Sequence, residues 1–524
     1  MVAPSIPRPA RAERVGLTRA GGVAWLTRYA PPLALALVVT LAYAPFTGEY
    51  FQGNDTWAHI WTSLHVGRVL TKPIMAGTSF PETWALFYRP VSTLSYALNY
   101  GISGLNPTAF HVTDVLIHLL ASLGLYGVMQ VLGISGWAAA IGAATFALHP
   151  IMASVVPDVP RRHDPLAMSL LLGGLLLVAR PRPNSRLVLA GSTALAALAE
   201  LAKEIAYVGP FLVGPIILLA AWSNGGSIRQ AWRRAAMAAA AWMAVSLILL
   251  VLRLHVLGEI GGYYRHFAPL FDLDVALNDI LRNLLWPFRA LLQTTLRAWF
   301  NEIGLAVLVA GLPILVVRRA ARATLLFGWL WLVAFGVFQG LSHSQAPWHT
   351  YFTVGGLGFL AAGVFDGVFS ASLTAWVPRQ LPLRLTARAV LGACLAGALV
   401  FQVAALRESV LMTTYSAWHI TGELGRMYLA SIQPCIVAAP PGSQVLLNHF
   451  PYGLDDSSDQ YVLVQAGVFA SYALGPAVYL KFGRTDLSFL ESGDGATFHA
   501  LPSGASTTCT TGANGVWYVE TTYT

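Results

Sequence analysis

Charge is scarce in this chain. Asp, Glu, Lys and Arg make up 11% of its 524 residues while 56% are hydrophobic; soluble domains carry about 25% charged residues. A folded surface of this size cannot be clothed in so few charges, so much of the chain must use lipid as its solvent. Familiar reactive motifs are missing as well. There is no CxxC, HExxH, GxxxxGK[ST] or GxSxG, which removes zinc hydrolases, P-loop transporters and serine hydrolases. The formal net charge of +8 does not indicate a nucleic-acid partner, because the arginines fall in short clusters between apolar runs.

Those clusters report topology. An apolar segment needs about 20 residues to cross the hydrocarbon, and spans are expected at Pro31 to Phe46 and near residues 112–131, 136–152, 164–179, 187–203, 205–222, 235–257, 300–317, 323–341, 350–369 and 388–406. Cytoplasmic loops carry excess Lys and Arg. The clusters at Arg180 to Arg186, Arg229 to Arg234, Arg318 to Arg322 and Arg379 to Arg388 all fall on the N-terminal side if there are eleven spans. The expected fold class is an all-α polytopic membrane protein of about 11 transmembrane helices with a small C-terminal extracytoplasmic α/β domain.

The divisions are 1–28, a basic cytoplasmic tail; 29–406, the membrane domain, with a first outer loop at 48–111 and an interfacial segment at 258–299; and 407–524, the extracytoplasmic domain. Within the last, a helix near Tyr415 to Ile432 leads into alternating runs such as Ser443 to Asn448 and Val516 to Thr521, which suggest strands. Cys435 and Cys509 fall there, where an oxidising compartment permits a bridge. A bridge and two buried thiols are both open.

Ionisable groups inside or flush with spans are expensive and mark function by default. Here they include Asp55, Arg89, His111, Asp114, His118, His149, Arg162, Asp164, Lys203, Glu204 and Arg253. Most are expected at one membrane face, as an enzyme mouth requires; a conduction path needs polar groups through the full thickness. His111, Asp114 and His118 share a helical face, but two turns separate the histidines by roughly 10 Å, so bonds between helices are favoured over a metal.

The runs Tyr88-Arg89-Pro90-Val91-Ser92-Thr93 to Tyr100 and Gly104-Leu105-Asn106-Pro107 to His118 resemble the first outer loop and second span of the transmembrane protein O-mannosyltransferases. These belong to the GT-C class of polyprenyl-phosphate-sugar-dependent glycosyltransferases. Ala147-Leu148-His149-Pro150, the Arg162-His163-Asp164 spacing, Ala202-Lys203-Glu204, and Arg253 before Leu257-Gly258-Glu259-Ile260-Gly261-Gly262-Tyr263 extend the likeness over roughly residues 50 to 265. The family's paired first-loop acids become Asn54-Asp55, its acid soon after His-Pro becomes Ala153-Ser154, and its late Arg-Tyr-x-Tyr shrinks to His349-Thr350-Tyr351.

The resemblance implies transfer of a sugar from a polyprenyl-phosphate donor to an acceptor protein, glycan or lipid, with inversion and with no cofactor beyond that donor. Asp55 is then the base, and Arg89, Arg162, Lys203 and Arg253 are the cations for the departing phosphate. His59, His149, Asp164, Glu204, Tyr263 and Tyr351 are further site candidates. Blander roles stand beside these: Asp55 as a helix cap, Lys203 and Glu204 as a snorkelling pair, Arg89 and Arg253 as boundary anchors, and Arg162 paired with Asp164. A transporter or flippase of a lipid-linked envelope precursor, or a non-catalytic assembly subunit, would share the composition.

Overall fold

The structure is a computed structural model describing residues 19–74, 87–180, 186–258, 318–342, 347–369, 412–454, 467–490 and 494–524. The expected spans near 300–317 and 388–406, the interfacial segment beyond Gly258 and Tyr263 lie outside the described residues.

Helix α1 (Arg19–Tyr43) starts within the stretch assigned to the basic tail and runs through Pro31 and Pro32. A short helix α2 (Thr56–Ser63), the one-turn α3 (Val66–Val69) and α4 (Pro90–Ser103) form the following loop. Then come α5 (Pro107–Val131), α6 (Gly136–Ala147), α7 (His163–Ala179), α8 (Arg186–Ala202), α9 (Gly209–Ser223), α10 (Ile228–Leu257), α11 (Arg319–Ser342) and α12 (Tyr351–Phe369). Proline starts α4, α5 and the short 3-10 turns Pro150–Ser154 and Val159–Arg162, where its missing N–H costs nothing and its fixed φ is already helical.

Among the described residues, six helices are long and apolar enough to cross a membrane: Arg28–Gly48, Pro107–Val131, Val159–Ala179, Glu204–Ser223, Ile228–Leu257 and Arg319–Leu341. The chain is therefore a multi-pass membrane protein. The expected span at 136–152 is a 12-residue helix that stops at Ala147, because Pro150 forces the chain into a 3-10 turn. Apolar side chains at helical spacing, among them Leu33, Leu37, Leu41, Leu247, Ile248 and Val251, face outward, as lipid contact requires. Inward, glycines let helices close: a β-carbon at Gly142 would overlap the carbonyl oxygen of Gly358, where α6 meets α12. Small residues at such crossings replace the hydrophobic drive that lipid does not supply.

Among the described residues, the C-terminal module comprises α13 (Met412–Ala438), α14 (Ser471–Phe482) and six strands: β1 (Gln444–Asn448), β2 (Phe450–Leu454), β3 (Ser488–Phe489), β4 (Gly495–Phe498), β5 (Ala505–Thr511) and β6 (Trp517–Tyr523). The sheet order is β3-β1-β6-β5, with β1 parallel to both neighbours and β5 antiparallel to β6, while β2 and β4 form a separate parallel pair. Cys435 of α13 and Cys509 of β5 are joined in a disulfide, with Cα atoms 5.6 Å apart. The module shares a core with the loop after α1. Phe51, Trp57, Ile60, Tyr96, Phe110 and Val159 pack in one cluster with Leu424, Tyr428, Phe469 and Val478, and the Trp418 indole donates to the Ala153 carbonyl at 3.1 Å. A continuous apolar seam thus presses the module onto the segment that carries Asp55.

Candidate active site

The ionisable groups come from the matching ends of alternating helices: the residues after α1, the starts of α5, α7 and α9, and the C-terminal ends of α8 and α10. An up-and-down bundle brings such ends to one face.

Asp55 occupies the residue before α2, yet its side chain makes no capping bond. Its Oδ1 accepts a hydrogen bond from Tyr472 Oη, 417 residues away in the sequence, so the cap reading fails for the carboxylate. Gly53 makes this turn possible. Its φ is +86°, and a β-carbon there would overlap Asp158 Oδ1 and stand 3.0 Å from the Pro160 ring. The left-handed backbone and the close approach both require glycine.

Asp158 stands at the turn before Val159–Arg162, where Arg161 Nε donates to its Oδ2 at 2.5 Å. Arg161 lies over the Trp348 ring at 3.4 Å. Among the described residues, Asp158 Oδ1 and Arg161 Nη1 are buried without a hydrogen-bond partner. One orphan acceptor and one orphan donor beside Asp55 are what a site awaiting a polar ligand shows. Loss of bulk water raises the pKa of Asp55 against the opposing effects of Tyr472 and Arg161. Burial likewise lifts Asp158 to about 6; Arg161 opposes the shift and the Asp55 charge adds to it. Two acids and one cation in a dry place form a pair that gives up its second proton late.

His59, one turn beyond Asp55, is buried with its ring 5.3 Å from Tyr96. Burial, reinforced by nearby cations, keeps it neutral, its pKa well below the ordinary histidine value. Beyond it lie the expected cations. Arg89 grips Glu204 with two nitrogens, Nε at 2.9 Å from Oε2, and meets His163 at 3.3 Å. Lys203 bonds Asp164, and Arg253 reaches Glu204 at 4.0 Å. Lys203 is thus a buried partner of an acid, which removes the snorkelling reading: its side chain is 7% exposed. His349, beside Trp348, is half-buried near the same charges, and loss of water, reinforced by Lys203, lowers its pKa to about 3.

Three candidates stand apart from this cluster. Arg162, 1% exposed, bonds Asp114 and, at 2.8, 3.2 and 3.3 Å, the Asn99 side chain and the carbonyls of Phe110 and Ser95. It sits between Tyr96 and Phe110. Its planar fork is consumed in tying α4, α5 and α7 together, so it is corrected from a phosphate ligand to a structural knot, and its acid partner is Asp114 rather than Asp164. Tyr351 bonds His118 Nδ1 at 2.7 Å, and His118 Nε2 meets the Ala147 carbonyl at 3.1 Å; this pair is interhelical. His149 precedes the turn Pro150–Ser154 and accepts from the Ile151 amide at 3.4 Å. Among the described residues no group of three His, Cys, Asp or Glu is placed to hold a metal ion.

Sequence reasoning passed over Asp158, Arg161 and Tyr472. The first two carried a weak signal, a charged pair bracketing Pro160 just before a span. Tyr472 carried none.

No protein-family model matches the chain. In sequence it is 30% identical over 183 residues to the protein O-mannosyl-transferase TMTC1 of Mus musculus, covering 31% of this chain and 17% of that protein. It is 34% identical over 142 residues to TMTC2 of Homo sapiens, 25% of this chain and 16% of that one. The chain thus spans less than a fifth of the length of these curated relatives. Among solved structures, ArnT from Cupriavidus metallidurans bound to undecaprenyl phosphate aligns with a TM-score of 0.45 and 18% identity over 90% of each chain. The arabinofuranosyltransferase AftD from Mycobacteria aligns at 0.49 and 16%, over 88% of this chain and 32% of that one. Over about a third of its length, then, the chain is similar in sequence to protein O-mannosyl-transferases.

Proposed function

We propose that the chain is an integral-membrane inverting glycosyltransferase of the GT-C class, moving a sugar of mannosyl type from a polyprenyl-phosphate donor to an acceptor hydroxyl. One observation carries the reading: in a chain similar to O-mannosyl-transferases, Asp55 meets a second buried acid and an arginine, beside orphaned polar atoms.

The acceptor O–H gives its proton to the Asp55 carboxylate while its oxygen attacks the anomeric carbon. The bond from that carbon to the donor's phosphate oxygen breaks, and the polyprenyl phosphate leaves with an added negative charge. Burial raises the basicity of Asp55, and Asp158 holds Arg161 beside it. Arg161, Arg89, Lys203 and Arg253 are the cations that stabilise the growing charge. Acids Glu204 and Asp164 hold Arg89 and Lys203 in place until then, which a preorganised site requires. No cofactor is invoked beyond the lipid-linked donor.

Orientation follows from the arginine clusters: N-terminus cytoplasmic, catalytic face and residues 407–524 outside. The disulfide supports this placement, since such bonds persist in oxidising compartments. A transporter reading is less favoured, because the ionisable cluster gathers at helix ends on one face.

The test uses the full chain in proteoliposomes supplied with polyprenyl-phosphate-mannose and a threonine-bearing peptide, following release of polyprenyl phosphate. Wild-type turnover that Asp55→Asn abolishes is expected. No turnover by the wild type would overturn the proposal.

A further inference from the structure

We propose that Tyr472, carried by the C-terminal module, is a positioning residue for Asp55, so that the module completes the active site. The inference rests on the transferase function proposed above and names a part of it that lies outside the membrane domain.

The segment leading into α14 holds both members of the Asn54-Asp55 pair. The Ala470 amide donates to the Asn54 carbonyl at 3.2 Å, and Tyr472 Oη donates to Asp55 Oδ1. Gly467 allows the approach: a β-carbon there would stand 2.9 Å from the Asn54 β-carbon. The segment is itself fixed, with the Val468 and Phe469 amides bonded to the carbonyls of Tyr452 and Pro451 at 2.8 and 3.2 Å. Val468 and Phe469 are buried in the core that also takes Phe51 and Trp57.

What Tyr472 does follows from where Asp55 stands. A carboxylate just before a helix has an obvious local partner, the exposed amides of the first turn. Asp55 makes no such bond, and the phenol is what draws it away. With Oδ1 taken by Tyr472, Oδ2 is left to receive the acceptor proton. A donor on the carboxylate also favours the ionised form, which a base needs. Without the hydroxyl, Asp55 is expected to swing back and cap α2.

The experiment compares Tyr472→Phe with Tyr479→Phe in the full chain in proteoliposomes, using polyprenyl-phosphate-mannose as probe. Tyr479 lies on the same helix and donates to the Leu487 carbonyl at 3.2 Å, so its variant reports the loss of an ordinary module hydrogen bond. Removing one hydroxyl leaves each ring in place, and equal melting temperatures check the fold. Tyr472→Phe should lower kcat about tenfold with donor KM little changed, and move the acid limb of the pH profile upward by up to about one unit. Tyr479→Phe should do neither. Unchanged kcat and acid limb in Tyr472→Phe, where Asp55→Asn is inactive, would overturn this inference alone. Equal losses in both variants with the limb unmoved would reduce Tyr472 to a structural contact and overturn it too. A wild type without turnover would defeat the transferase reading and this inference with it.

Discussion

Gly53→Ala puts a methyl group where the structure has placed a carboxylate. At φ +86° an L side chain costs about 1–2 kcal/mol, and the new β-carbon would overlap Asp158 Oδ1, with the Pro160 ring closing the other side at 3.0 Å. Pro160 cannot yield, being fixed in a 3-10 turn with Val159 buried behind it. The carboxylate must therefore retreat, and with it Arg161, its partner at 2.5 Å. A misplacement on the order of 1 Å costs up to about a hundredfold in rate. The expected result is a fall in kcat/KM of roughly 10- to 100-fold, or about 1.4–2.7 kcal/mol at the transition state, with a smaller loss of thermal stability. Release of polyprenyl phosphate in proteoliposomes measures the first, and melting of the purified chain the second. Activity within about twofold of wild type would refute the reasoning, because it would mean that the position of Asp158 does not matter.

Asp55→Asn should lose about 10²- to 10⁴-fold in turnover, the usual worth of a positioned base, while melting like the wild type, since the amide oxygen still accepts from Tyr472; turnover above a tenth of wild type would remove Asp55 from the mechanism. The base must be ionised, and loss of bulk water raises the pKa of Asp55, so activity should be lost on acidification at a pH above the ordinary carboxylate range of about 4; a limb near 4 would show that burial does not perturb the base. Arg161→Gln and Arg162→Gln should separate sharply. The first should fold and lose activity; the second leaves Asp114 buried beside no cation, costs about 3–5 kcal/mol, and should fail to yield folded protein. Replacing Cys435 and Cys509 by serine opens a loop with a sequence separation of 74, worth about 4 kcal/mol by chain entropy, and should lower the melting temperature of the module; an unchanged melting curve would show that the apolar seam alone holds it.

Asp55 was singled out from sequence because it lies in a polar stretch between two apolar runs, at the position where the resembling family carries its first-loop acids. The cations were harder. Arg89, Lys203 and Arg253 sit at span boundaries and meet near Glu204, whereas Arg162, adjacent to Arg161, turns the opposite way into the helix bundle. No propensity or spacing separates neighbours in a 3-10 turn; only the packing of Asn99, Phe110 and Asp114 on one side and Trp348 on the other decides which guanidinium is structural. After His-Pro the chain has Ala153-Ser154, and Asp158 lies beyond the Pro150–Ser154 turn, where spacing alone gave no reason to single it out. Tyr472 carries no such signal. Its role depends on a fold that brings the last hundred residues onto the first hundred, and a contact across 417 positions leaves no local trace in composition or periodicity. The site is therefore divided by how its parts are held: groups fixed by membrane helices are visible as charges out of place in apolar sequence, and groups fixed by the docked module become visible only when the seam that docks it is seen.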